Sequence, residues 1–320
     1  MRRKPFIRPA GPATMLPYTL PVVSRVLQNR VMLLFFFLFA TGFIFARGAS
    51  GTGGRTLTIY SLKGSPGVGM LRLFEEPPEI RGFNVKVEAL AQADLMAARF
   101  ISGEARVGIL PPNMAAKIAS SGIDVRAAAV VGTGMLSLLS ADPELRGLPD
   151  LRGKTVEVAG QGATPDYVFR KILSAHDLVP EIDVKLGYSL PPPEIAQSLI
   201  AGKISTALLP EPFATMAQAG RQGLRLVVDI QEEWAALGHS GNYPMTVLVM
   251  DGGFADANSE AAGDILNAVR QSIEWVCSRP VEAGALAEKY DLGFRAAVAA
   301  VSIPKSGYVF IPSFEARQSL

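Results

Sequence analysis

The chain has 320 residues, 49% of them hydrophobic, and a formal net charge of +2 from 31 basic and 29 acidic side chains. This is enough apolar material for one large core or two smaller ones, which excludes a disordered chain, and the mixing of charge after the N-terminus excludes a basic face for nucleic acid. A single cysteine, Cys277, and two histidines, His176 and His239, exclude an intramolecular disulfide and a cysteine metal cluster, and leave little for zinc or Ser-His-Asp chemistry. We expect the histidines to be ordinary surface or capping groups and Cys277 to be a small buried residue at the end of an apolar stripe.

Residues 1–30 are proline-rich and basic without acidic partners, and residues 31–46 (VMLLFFFLFATGFIFA) run uncharged between Arg30 and Arg47. This pattern reads as a signal sequence. The apolar run is shorter than the ~20 residues of a comfortable membrane span, and small residues follow it, with Ala46/Gly48 or Gly48/Ser50 at signal-peptidase spacing. The expectation is export, to the periplasm or held at the membrane through this segment if it stays uncleaved, and Met15 is an alternative start. A Gly/Ser/Thr linker covers 49–55.

The folded part opens with a strand over 57–62, which runs into Lys63-Gly64-Ser65-Pro66-Gly67 and a helix over about 68–74. The same plan returns at 154–173 (KTVEVAGQGATPDYVFRKIL). There Thr155 to Val158 alternates as a strand, Gly160 and Gly162 break it, and Thr164-Pro165 reads as an N-cap followed by proline at the first helical position. Val168 with Ile172 and Phe169 with Leu173 give that helix a buried face, and its polarised N-terminus is a ready polar binding site. The repeat extends further, at a nearly constant interval of about one small domain. Asn84-Val85-Lys86-Val87 recurs as Asp183-Val184-Lys185-Leu186, and 101–112 recurs as 200–211.

Each half then reads strand, glycine loop, helix, strand, helix, strand, loop, helix, which predicts an α/β fold of two lobes, each an open, mostly parallel sheet flanked by helices. The expected division is 1–54 for the leader and linker, 55–132 plus 247–320 for lobe 1, and 133–246 for lobe 2. The β-rich segments 127–139 and 243–250 are the expected crossings. A long helix over 258–276, with Ile265, Val269, Ile273 and Val276 on one stripe, and a helical segment over 280–290 are expected to return to the first lobe.

Ligands of such sheets lie at the carboxyl ends of the strands, here 63–69, 111–113, 160–164 and 210–213. The candidate binding residues follow from that placement. Lys63 and Gly64 lie on the first loop; Gln161, Gly162, Ala163 and Thr164 offer amides and a hydroxyl on the second. Asn113 both donates and accepts, and is equally suited to capping a helix over 114–119. Glu211, between two prolines in an apolar run, is a buried carboxylate in need of a partner, either the ligand or a hinge amide. Phe213 and Tyr167 are stacking surfaces or core residues, and Thr133 and Thr246 lie one on each crossing. No catalytic, metal-binding or cofactor-binding group is expected.

These residues resemble a known family, the periplasmic solute-binding proteins of ABC importers, in the branch of sulfonate, taurine and nitrate binders and the thiamine-pyrimidine-precursor (NMT1/THI5-like) group. The motifs that carry the resemblance are LRGKTVEVAGQGATPDYVFRKIL, GKISTALLPEPFA and TIYSLKGSPGVGM, across roughly 57–310. The resemblance implies the two-lobed type II fold, closing on a small molecule that is handed to a membrane permease with its ATPase, and a monomer without cofactor. It leaves a rival, an enzyme on the same fold like those of futalosine-pathway menaquinone synthesis, against which the leader argues. Two departures stand out. Arg106 and Ser205 replace an aspartate common in the family, at strand starts away from the ligand. Asp166, in the first turn of the helix that faces the ligand in anion-binding members, already satisfies the positive helix end, which favours a neutral heterocycle over a sulfonate or nitrate.

Overall fold

The computed structural model describes residues 54–239 and 242–316. The leader, its apolar run and Met15 lie outside the described residues. Among the described residues no helix is long and apolar enough to cross a membrane.

Two mixed sheets, each with helices on its faces, organise the chain. The first is built from β1 (Arg55–Leu62), β2 (Phe83–Leu90), β3 (Val107–Leu110), β4 (Val125–Thr133), β10 (Pro244–Asp251) and β11 (Tyr308–Pro312), in the order β11-β4-β10-β3-β1-β2. The second holds β5 (Leu136–Ser140), β6 (Thr155–Val158), β7 (Lys185–Gly187), β8 (Thr206–Pro210) and β9 (Arg225–Asp229), in the order β7-β6-β8-β5-β9. The repeat read in the sequence is thus a repeat of sheet positions. β1 lies parallel between β2 and β3 just as β6 lies parallel between β7 and β8. In both sheets the strand that follows a crossing, β10 or β5, enters antiparallel to its two neighbours.

Period-2 alternation explains how the second sheet buries both faces. Leu208 of β8 packs in one cluster with Val168, Phe169, Ile172 and Leu173 of α5 (Thr164–Ala175). Its neighbours Ala207 and Leu209 pack on the other face with Ile195 and Leu199 of α6 (Pro192–Ile200) and Ala214 of α7 (Phe213–Gly220). The i, i+4 pairs of α5 are buried, and each such side chain contributes about 1.5–3 kcal/mol of apolar transfer. In the first sheet α3 (Ala93–Ile101) and α4 (Pro112–Ser120) follow β2 and β3, while α10 (Ser259–Ser278) lays Ile265, Val269, Ile273 and Val276 into the same core. α11 (Pro280–Lys289) and α12 (Ala296–Ser302) complete that side.

Several local expectations are corrected. The helix expected over 68–74 is two short ones, α1 (Ser65–Val68) and α2 (Leu71–Glu75), separated by Gly69-Met70. Thr164 is the first residue of α5 and makes no capping bond, because Ala163 occupies the cap position. Asn113 lies inside α4 and does not cap it. Cys277 is exposed by area, with its thiol directed at the Tyr308 carbonyl, 3.6 Å away, and burial of the sulfur raises its pKa. His176 meets Glu233 at 2.8 Å, and His239 stacks on Trp234 with ring centroids 4.2 Å apart.

The chain first passes between the sheets at Gly134 and Met135, both at positive φ (64° and 72°). Glycine suits position 134, whose φ lies in the left-handed region and where a Cβ would crowd the Asn242 and Gln231 side chains. It returns between α8 (Ile230–Ala236) and β10, so β10 lies wholly in the first sheet.

Candidate ligand cleft

The carboxyl ends of the parallel strands of both sheets converge on one cleft of about 500 Å³. The first sheet supplies Lys63 to Pro66 after β1, Ala91 and Gln92 after β2, and Pro111 after β3. The second supplies Ala163 to Pro165 after β6, Pro191 to Glu194 after β7, and Pro210 with Phe213 around the end of β8. Met135, at the crossing, and Met245 and Thr246 on β10 form the floor between them. Seven wall residues are prolines: 66, 111, 165, 191, 192, 193 and 210. With no backbone N–H to present and an apolar ring, they make a dry, rigid wall.

Charge is scarce on that wall. Among the described residues Lys63 and Glu194 are its charged ones, of opposite sign, and the Lys63 ammonium is ion-paired with Asp291. Two of the loop amides are also committed. Gly162 N donates to Asp166 Oδ2 at 2.9 Å, and Ala163 N to the Gly160 carbonyl at 3.2 Å. Asp166 is 4% exposed, and its other oxygen takes Arg170 Nε at 2.6 Å and the Tyr188 hydroxyl at 2.7 Å. Burial penalises the charge of Asp166, but the Gly162 amide, Tyr188 and Arg170 together outweigh it and hold the carboxyl below its usual range. Burial, with the bond to Asp166, pushes the Tyr188 hydroxyl up to about 12.

Six of the twelve sequence candidates line this cleft: Lys63, Gly64, Ala163, Thr164, Phe213 and Thr246. The other six lie elsewhere. Gln161 and Gly162 are exposed on the loop, and Tyr167 is 60% exposed on α5. Thr133 is buried at the end of β4, bonding through both its amide and its hydroxyl to the Gly307 carbonyl. Asn113 reaches across the mouth of the cleft, donating from Nδ2 to the Gly162 carbonyl at 3.0 Å, while its Oδ1 is buried without a protein partner. Glu211 lines a separate cavity, and its partner is not the expected ligand or hinge amide but the Thr215 amide in the first turn of α7, at 3.0 Å. Burial raises its pKa, and Thr215 and the Lys305 charge only partly offset this.

The sequence reading missed Ser65, Gln92, Met135, Met245 and the triple proline at 191–193. A signal for two of these existed. The repeat pairs β2 with β7, and both run parallel to their neighbours, so their carboxyl-end loops, 91–92 and 191–194, face the same cleft.

A family model described as NMT1-like matches residues 105–289, more than half of the chain. The chain belongs to the NMT1-like family. No curated protein matches its sequence. Among solved structures, this NMT1-like protein is similar to an ABC transporter from Parabacteroides distasonis, with a TM-score of 0.70 and 24% identity over 82% of this chain and 89% of that one. It is also similar to the periplasmic aliphatic sulphonate binding protein SsuA from Escherichia coli (TM-score 0.66, 17% identity, 83% and 85% of the chains). A third is the periplasmic nitrate-binding protein NrtA from Synechocystis PCC 6803 (TM-score 0.53, 14% identity, 72% and 65%). At these identities the likeness carries the fold: this NMT1-like protein has the two-lobed architecture of periplasmic binding proteins.

Proposed function

We propose that this protein is the exported solute-binding component of an ABC importer, without catalysis of its own, which closes its two lobes on a small uncharged molecule and hands it to a membrane permease. The observation that carries this reading is the proline-lined cleft between the strand ends of two sheets, where Lys63 is paired with Asp291 at the exposed rim. An anion transferred there would lose its hydration without gaining a free cation, which is costly. The choice within the family therefore falls on a flat, weakly polar solute of the pyrimidine-precursor kind rather than a sulfonate, taurine or nitrate. The Asp166–Arg170 pair supports the same choice, since the helix terminus has its counter-charge already.

In this reading each sheet is the core of one lobe, the boundaries expected at 132/133 and 246/247 moving to Gly134–Met135 and to the stretch before β10, and the monomer is the working unit. Phe213 stacks on the solute, Thr164, Thr246 and Gln92 fix its orientation, and Asn113 with Gly162 closes the mouth. Neither the family nor the structural neighbours support the enzymatic alternative.

The test is thermal unfolding of the chain from residue 54 onward with pyrimidines, flavins, amino acids, alkanesulfonates, taurine and nitrate. A cognate solute at about 100 times its Kd adds ~2.7 kcal/mol of stability. An uncharged ring compound is expected to raise Tm, and a rise with the anions alone would overturn the choice.

A further inference from the structure

Behind the crossing lies a second cavity, of about 350 Å³, and Met135 lines both it and the cleft. Neighbouring residues are divided between the two: Pro210 lines the cleft and Glu211 the rear cavity. The rear walls come from both sides of the crossing. Glu211 and Gln218 belong to the β8–α7 region of the second sheet, whereas Lys305 and Gly307 belong to the segment that enters β11 of the first.

Glu211 is 4% exposed, with Oε2 accepting the Thr215 amide. A buried carboxylate with one strong donor is under-satisfied and gains from a cation. Lys305 lies near enough to act on its charge, yet the two form no direct ion pair in this conformation. The other acidic wall group, Asp229, is occupied by the amides of Gln231 and Glu232. At the front, by contrast, the Asn113 bond to Gly162 is made. The structure therefore has its front contact closed and its rear pair apart. For a rotation about the Met135 crossing, opening the front narrows the rear.

We propose that Glu211 and Lys305 form an ion pair behind the crossing when the cleft opens, so that this pair and the Asn113–Gly162 clasp compete and together set solute affinity from outside the cleft. The proposal rests on the reading of two lobes that move about a solute cleft. The pair stabilises the unliganded form, and the apparent Kd rises in inverse proportion to the fraction of closed form that remains.

The test uses no solute, so failure to find the ligand leaves it intact. Nitroxide labels are placed at Lys117→Cys on α4 and Lys171→Cys on α5, both exposed, in a Cys277→Ser background, and the interlabel distance distribution is read by pulsed electron resonance. Asn113→Ala is expected to shift the distribution to longer distance. Adding Lys305→Met or Glu211→Gln to that variant is expected to return it toward the shorter distance, whereas adding Lys305→Arg leaves it long. The proposal is overturned if Asn113→Ala does not lengthen the distance, if neither rear substitution shortens it again, or if Lys305→Arg acts like Lys305→Met.

Discussion

Asp166 and Glu211 are both 4% exposed, both near the carboxyl end of a strand in the second sheet, and both in or beside the first turn of a helix, yet their acidities move in opposite directions. Both are closed to solvent, but Glu211 lies deeper among protein atoms, so desolvation costs it more, and it has fewer donors to offset that cost. Asp166 takes an amide, a phenol and a guanidinium, whereas Glu211 takes the Thr215 amide, with the hydroxyl of the same residue and the Lys305 charge beside it. A carboxylate surrounded by donors fixes a loop in place. One left with fewer donors is a group that a change of conformation can still satisfy.

The sharpest way to break this contrast is Arg170→Met. It leaves the Asp166 charge buried with two neutral donors and also removes the link to Glu181. Because Arg170 is itself one-third exposed, the loss is expected near the lower end for a broken buried pair, about 3 kcal/mol, read as a lower midpoint in urea denaturation at unchanged slope. Glu211→Gln retains an acceptor for the Thr215 amide while removing the penalised charge, so a gain of about 1 kcal/mol is expected at neutral pH. A loss of similar size would mean that Lys305 already satisfies the carboxylate.

The pH dependence of those two effects should have opposite sign. Glu211 has its pKa raised in the folded state, so its contribution is fully present below the ordinary glutamate value of 4.5 and is lost as pH rises through the folded value. The advantage of Glu211→Gln should accordingly vanish in acid and grow above that point. Asp166 has its pKa lowered, so its contribution is present above 3.8 and fades as pH falls through the folded value. The cost of Asp166→Asn should therefore shrink in acid. Urea midpoints of the three proteins from pH 3 to 8 give both slopes, and parallel slopes would remove the distinction.

Much of the fold was legible because it rests on periodicities that any sequence displays. The i, i+4 pairs of α5, the apolar stripe of α10 and the recurrence of 84–87 at 183–186 each impose a geometry that no distant residue overrides. The cleft was legible only in part. Strand-end loops could be placed from the repeat, but which side chain turns inward depends on alternation about a boundary. A shift of one residue sends Pro210 forward and Glu211 back. Thr164 is a similar case. Its sequence context is that of a cap, yet the helix begins one residue earlier than that reading needs, with Ala163 at the cap position and Thr164 already helical. The smallest expected effect follows. Thr164→Val should change stability by less than about 0.5 kcal/mol, against about 1 kcal/mol for loss of a true cap, and a larger loss would restore the hydroxyl to a structural role.

The way the two sheets draw on the chain also favours one order of assembly over the other. Every strand of the second sheet lies between Leu136 and Asp229, an unbroken stretch, whereas the first sheet needs β1, which begins at Arg55, and β11, which ends at Pro312. As the polypeptide emerges from its N-terminus, the strands made first cannot finish their sheet, because β10 must enter between β3 and β4 before the two can share it. The half made second has all its partners as soon as Asp229 is free. Loop-closure entropy then favours the later-made sheet as the earlier-formed one, and leaves β1 to β4 as a waiting, partly unpaired surface until the last residues arrive.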